Sequence, residues 1–174
     1  MDNEELTLFR DMTCRALEQE IAPYIEEWEA QHTVPRQLWR TLGQAGLLCP
    51  DMPQGYGAAG TTPQVTFAVI EELSRMGFGG IATGYSIHSN IVAPYIEHFG
   101  TEEQKFQWLP RMVSGEMLGA LAMTEPGAGS DVQGIRTNAV RDGDEWILNG
   151  SKIFITNGML ADIVIVAAIT DPGK

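Results

Sequence analysis

Between Leu121 and Val140 the chain reads LAMTEPGAGSDVQGIRTNAV. Within it, Thr124-Glu125-Pro126-Gly127-Ala128-Gly129-Ser130-Asp131 joins an apolar run to a polar turn. The chemistry open to these residue types is the holding of an anion. Glycines let backbone N–H groups come close to a ligand and form a concave nest, and Thr124 and Ser130 add hydroxyls. Two common nucleotide loops do not fit. A dinucleotide fingerprint needs a third glycine three positions after Gly129, where Val132 stands, and a helix where IRTNAV reads as a strand. A P-loop needs Gly-Lys-Ser/Thr, which does not follow. The residues alone leave two readings open: glycines that merely serve turns, or a loop shaped for a ligand.

Other side chains that could do chemistry are read more plainly. Glu125 is a structural carboxylate that orients backbone donors, and Asp131 caps or braces the turn. His88, in SIHSN, is a satisfied core or interface histidine; His32 and His98 are surface residues at helix ends. Trp28, Trp39, Trp108 and Trp146 are packing anchors. Cys14 and Cys49 lack metal-ligand spacing and read as two reduced, partly buried thiols.

The chain has 23 acidic against 11 Lys+Arg residues, a formal net charge of -12. Nucleic acid and anionic membrane both need a basic face, so neither is expected as a partner. Hydrophobic residues at 44% and charged residues at 20% are ordinary for a folded domain. The start, MDNEELTLFR, lacks the basic and apolar regions of a secretory signal and the Arg-rich character of a transit peptide. No apolar run reaches the roughly 18 residues a membrane span needs. A cytoplasmic protein is expected.

The elements that must position the loop follow from periodicity. Leu6, Phe9, Thr13, Leu17, Ile21, Tyr24 and Trp28 step by three or four, with Pro23 breaking the helix. Thr33 to Pro35 starts a second helix, with Leu38, Trp39, Leu42 and Ala45 as its stripe and Gly46 at its end. Thr62 caps a third, with Pro63 at its first position, Val65, Val69, Leu73 and Met76 inside and Gly77 at its end. A fourth runs from about 80 to 99, with Ile87, Ile91 and Tyr95 as its stripe and Pro94 interrupting it. Thr101-Glu102-Glu103-Gln104 is a capping box for a fifth, which buries Phe106, Leu109, Met112 and Val113 and ends at Gly115. MLGALAM then begins a strand-rich region. Asp142-Gly143 and Asn149-Gly150 read as hairpin turns, and DIVIVAAIT as a buried strand. The expected class is α+β: an all-helical unit over 1–117, then an antiparallel sheet, part of a barrel, over 118–174. So few strands need a partner layer, so a truncated or obligately assembled protein is expected.

AMTEPGAGSD, followed by WILNGSKIFITNG, closely resembles the flavin-binding segments of the acyl-CoA dehydrogenase family. GYSIHSNIVAPYIEHFGTEEQKFQWLPRMVSGE looks like that family's helical N-terminal domain. GYSIHS, DVQGIRTNA and Phe154 in KIFITNG resemble its long-chain branch. The likeness covers essentially the whole chain.

The resemblance implies a helical N-terminal domain, a β-domain and a C-terminal four-helix domain, the last absent here, with FAD between the last two. Residue by residue, Leu121, Ala122, Met123 and Thr124 would line the pyrimidine edge. Gly129 and Ser130 would sit by the pyrophosphate, with Ser130 also touching the substrate's pantetheine arm. Phe154 would pack on the isoalloxazine, where most of the family has Trp, and Ile155 and Thr156 would meet it near N5. Ser86, Ile87 and Asn90 would border the acyl pocket beside His88. The reaction implied is α,β-oxidation of a fatty acyl-CoA to the trans-2-enoyl-CoA. An electron-transferring flavoprotein would be the acceptor and a homo-oligomer the assembled form. The family's glutamate base lies in the C-terminal domain, and no acid here matches its motif, so no catalytic residue is expected within this chain and the chain alone is expected to be inactive. A non-catalytic assembly module, or part of an acyl-CoA oxidase on the same fold, is the alternative.

Overall fold

A computed structural model describes residues 3–171. The chain runs through helices α1 (Asn3–Glu20), α2 (Ile25–Ala30), α3 (Arg36–Gln44), α4 (Pro63–Arg75), α5 (Gly79–Ser86), α6 (Ala93–Phe99) and α7 (Glu102–Val113). Strands β1 (Gly119–Ala122), β2 (Asn138–Asp142), β3 (Glu145–Asn149) and β4 (Ile163–Val166) follow. α1 packs on α4, α4 on α5 and α6 on α7. Trp39, Tyr85, Leu17, Leu73, Leu109 and Leu118 are almost wholly buried among them.

The helix signals are local, and most hold. α1 stops before Pro23, and Tyr24 stacks on Trp28 with ring centroids 5.6 Å apart. Thr101 Oγ1 accepts from the Gln104 N–H at 3.3 Å while Gln104 Oε1 accepts from the Thr101 N–H at 2.9 Å, so the capping box is complete. Gly115 closes α7 with φ 73. Between α1 and α4, Arg10 pairs with Glu71 and, at 3.1 Å, with Glu72, which also takes Arg75 at 2.6 Å. Burial alone would raise the Glu72 carboxyl; the two guanidiniums outweigh it and hold it below the usual range.

Several expectations are corrected. Thr33 is exposed, and α3 begins at Arg36 with Pro35 at its cap. Thr62 sits at the α4 cap without a capping side-chain bond. Ala45 is exposed, because it lies past the last turn of α3. Phe106 is 60% exposed and meets Tyr56 edge-on at 5.3 Å, because the first turns of α7 face a surface loop. The fourth helix does not bury Ile87, Ile91 and Tyr95. Its inner face is Ile81, Tyr85, His88, Ser89, Val92 and Ile96. The shift has a cause: Ile87–Val92 forms a π turn between α5 and α6. Pro94 has no N–H for the carbonyl four residues back, and its ring crowds the turn that widens. Trp146 is 57% exposed and anchors nothing in the described core.

The sheet region differs more. β2 and β3 form the expected antiparallel hairpin through Asp142-Gly143. β1, however, pairs with β4 in parallel, Gly119 opposite Ile163 and Ala122 opposite Val166. β4 is half-buried, with Leu121, Ile163 and Ile165 packed on the helical core. Asn149-Gly150 is not a hairpin turn. At Gly150 (φ 156) the chain passes hard against Thr137, where a Cβ would collide with the Thr137 side chain, and then continues without a partner strand.

Candidate functional site

β1 delivers the first part of the site. Leu121 is half-buried against the core, Ala122 is buried, and Met123 and Thr124 emerge beyond the strand end. A tight turn follows. The Glu125 N–H donates to Ala128 O at 2.9 Å and the Ala128 N–H to Glu125 O at 3.1 Å, with Pro126 and Gly127 at the corner. Gly129 and Ser130 lie past the turn and are exposed. Asp131 then accepts from the Gln133 N–H at 3.2 Å and opens a short 3-10 turn, Val132–Gly134, the bracing role expected of it.

Glu125 is the structural carboxylate the sequence indicated. It is 7% exposed and accepts from the Arg136 N–H at 2.8 Å, the Thr137 N–H at 2.9 Å and Lys152 Nζ at 2.8 Å. Lys152, with the Thr137 and Arg136 donors behind it, lowers the Glu125 carboxyl to about 2. Lys152 also donates to Met123 O at 2.8 Å, so one ammonium joins the strand end to the turn. Nothing in the spacing pointed to Lys152, because its partners lie 27 and 29 residues upstream.

The second motif is thereby laid beside the first. The Ile153 N–H donates to Thr124 O at 3.0 Å. Phe154 follows with left-handed backbone (φ 55) and its side chain 87% exposed. Ile155 and Thr156 are half-buried, and the Gly158 N–H closes on Ile155 O at 2.9 Å. Asn157, which the motif reading passed over, is left-handed too (φ 64) and donates to Gly84 O and Gly119 O. Arg36 of α3 ends the loop, donating to Leu160 O at 2.6 Å, to Glu116 O at 2.7 Å and to Asp162. Leu121–Thr124 and Phe154–Thr156 therefore form one surface. Ser86, Ile87 and Asn90 lie at the end of α5 and in the π turn, half-exposed.

His88 behaves as a core histidine. It is fully buried; the Gly119 N–H donates to Nδ1 at 3.1 Å, and Nε2 stands 3.1 Å from Met112 O. With Nδ1 accepting, Nε2 carries the proton and the ring is neutral. Burial lowers its pKa to about 4. Burial pushes the Cys49 thiol up to about 12, so it stays protonated, and Cys14 and Cys49 are both free.

An exposed flat ring beside a strand end, with hydroxyls at Thr124, Ser130 and Thr156 and glycines open to approach at 127 and 129, suits a planar heteroaromatic ligand with an anionic tail. A bay of about 420 Å³ opens beside the turn, lined by Glu125, Gly127, Arg136, Thr137, Asn149 and Ser151.

Comparison with known proteins gives this surface a context. Residues 3–116 match the acyl-CoA dehydrogenase N-terminal domain, and residues 120–174 match the acyl-CoA dehydrogenase middle domain. The long-chain specific acyl-CoA dehydrogenase of Rattus norvegicus mitochondria is 47% identical over 169 residues, 97% of this chain and 39% of the rat protein. A crystal structure of an acyl-CoA dehydrogenase from Geobacillus kaustophilus superposes with TM-score 0.95 at 44% identity, over all of this chain and 45% of that one. An acyl-CoA dehydrogenase from Bacillus anthracis complexed with FAD superposes with TM-score 0.88 at 36% identity, over 97% of this chain and 29% of that one. The chain thus spans less than half the length of these relatives. With both domain matches and these identities, the chain belongs to the acyl-CoA dehydrogenase family.

Proposed function

We propose that this chain supplies the flavin-facing surface and one wall of the acyl pocket in an FAD-dependent acyl-CoA dehydrogenase that converts a fatty acyl-CoA to its trans-2-enoyl-CoA. The observation that carries the reading is the clamp between the two motifs. Ile153 to Thr124 and Lys152 to both Met123 and Glu125 leave Phe154 standing free beside the end of β1. Bound FAD would accept the hydride from the β-carbon. Leu121, Ala122, Met123, Thr124, Ile155 and Thr156 would meet the ring edge, Phe154 its face, and Gly129 and Ser130 the diphosphate. Ser86, Ile87, Asn90 and Ser130 would border the acyl-CoA. The division into 1–117 and 118–174 is part of the same reading, supported by the adjoining domain matches.

The described acids and histidine at the site do not serve as the base that removes the α-proton. Glu125 is saturated with donors and stays anionic to about pH 2, which makes it a weak base. His88 has both ring nitrogens engaged inside the core. The family likeness assigns that role to a glutamate beyond Lys174. An electron-transferring flavoprotein as acceptor and a homo-oligomeric, cytoplasmic enzyme complete the proposal.

The test is an FAD titration of the 174-residue chain and of the full-length polypeptide, followed by flavin fluorescence. Saturable binding weakened about tenfold or more by Thr156→Ala or Gly129→Leu is expected. If neither form binds FAD, the reading fails. If the variants bind like wild type, the residue assignment fails.

A further inference from the structure

Asn157 stands where three elements meet. Its Nδ2 donates to Gly84 O in α5 at 2.8 Å and to Gly119 O at the start of β1 at 3.2 Å. Gly84 precedes Ser86 by two residues, Gly119 precedes Leu121 by two, and Asn157 directly follows Thr156. The seat admits nothing larger. A Cβ at Gly84 would lie 2.7 Å from Asn157 Oδ1 and 3.1 Å from the Trp39 ring. An added Cβ at Gly119 would lie 2.6 Å from Val92, the last residue of the π turn.

The loop that Asn157 ends needs such a seat. A left-handed aromatic residue, as at Phe154, persists only where its surroundings over-determine the backbone. Asparagine meets both demands at this point. It tolerates φ 64 better than most residues, and its NH₂ has one hydrogen for each carbonyl.

We propose that Asn157 is a positioning residue of the flavin site, whose amide sets the pose of Phe154–Thr156 against β1 and registers that pose to the helix carrying Ser86, Ile87 and Asn90. The inference rests on the flavin reading above and adds to it the group that aligns the acyl side with the flavin side. Asp at 157 keeps the shape and the backbone tolerance, yet brings a carboxylate against two carbonyl oxygens. Gly keeps the backbone and removes the amide. Gly84→Ala leaves Asn157 intact and closes its seat.

These three variants are compared with wild type in the full-length polypeptide. Hydrogen exchange without added flavin reads the loop, and fluorescence titration with FAD reads the site. Amides of residues 153–161 are expected to exchange about tenfold faster or more while those of α7 do not change. FAD affinity falls by about tenfold in the same variants. With saturating FAD, kcat falls more than KM changes. Loop exchange that stays at the wild-type rate overturns the proposal. So does a loosened loop that binds FAD with wild-type affinity. Wild-type protein that takes up no FAD removes the flavin reading itself, and this inference with it. If Asn157→Asp does not fold, Asn157→Gly and Gly84→Ala carry the same two readouts.

Discussion

Lys152, Thr137 and the Arg136 N–H keep the Glu125 carboxyl near 2, whereas an unfolded chain titrates glutamate near 4.3. A folded value below the unfolded one adds stability above about pH 4.3, and that contribution is lost as pH falls through about 2. Glu125→Gln should therefore flatten the acid limb of stability across that window, read as urea midpoints at successive pH. It should also lower the midpoint at neutral pH, because Lys152 keeps its buried position without a counter-charge. His88 obeys the same sign at a higher pH. Its stabilisation is complete above about 6.5 and lost as pH falls toward about 4. The difference corresponds to about 3 kcal/mol, at a slope no steeper than about 1.4 kcal/mol per pH unit. His88→Gln can still accept from Gly119 and donate to Met112, so denaturant titrations from pH 7 to 4.5 should lose that slope and retain most of the stability at pH 7.

At the scale of elements, the complete capping box on α7 sets a measurable quantity. Thr101→Ala should cost about 1 kcal/mol by urea unfolding, with the m-value unchanged because the exposed surface does not change. That element was legible because Thr101 and Gln104 are three residues apart and answer only to each other. So was the stop at Pro23, and so was the hairpin at Asp142-Gly143. What could not be read was decided by distant partners. Asn149-Gly150 has the composition of a turn, but Thr137 fixes what the chain does there. β4 has an apolar pattern that fits either direction of pairing, and only its neighbour, β1, makes it parallel. The fourth helix lost its expected stripe because a π turn rotates the register, and periodicity counted at 3.6 residues does not see that turn. In the site, the resemblance indicated Phe154 and Thr156, while Lys152, Asn157 and Arg36 escaped because each acts on residues 27 to 124 positions away.

For the molecule as a whole, apolar surface is unevenly distributed. The hairpin exposes Val140, Trp146, Ile147 and Leu148, and Phe154 and Met159 stand out beside it, Met159 at 98% exposure. The helical region adds Phe99 and Phe106. Against this the chain carries a net charge of -12, which makes copies repel. Expressed as 174 residues, it should therefore self-associate, and more strongly as salt screens the repulsion. Sedimentation velocity at low and high ionic strength checks this; a monomer at both would count against it.

The parallel ladder also constrains when the protein can finish folding. Gly119 must wait for Ile163, 44 residues later. At about 5–20 residues per second, a ribosome adds that stretch in roughly 2–9 seconds. During that interval the helices are complete, and β1 is held on one side by His88 while its other edge is bare. The unpaired strand is then the part of the nascent chain most open to a chaperone or to a wrong partner. Slower synthesis between residues 123 and 162 would lengthen that exposure.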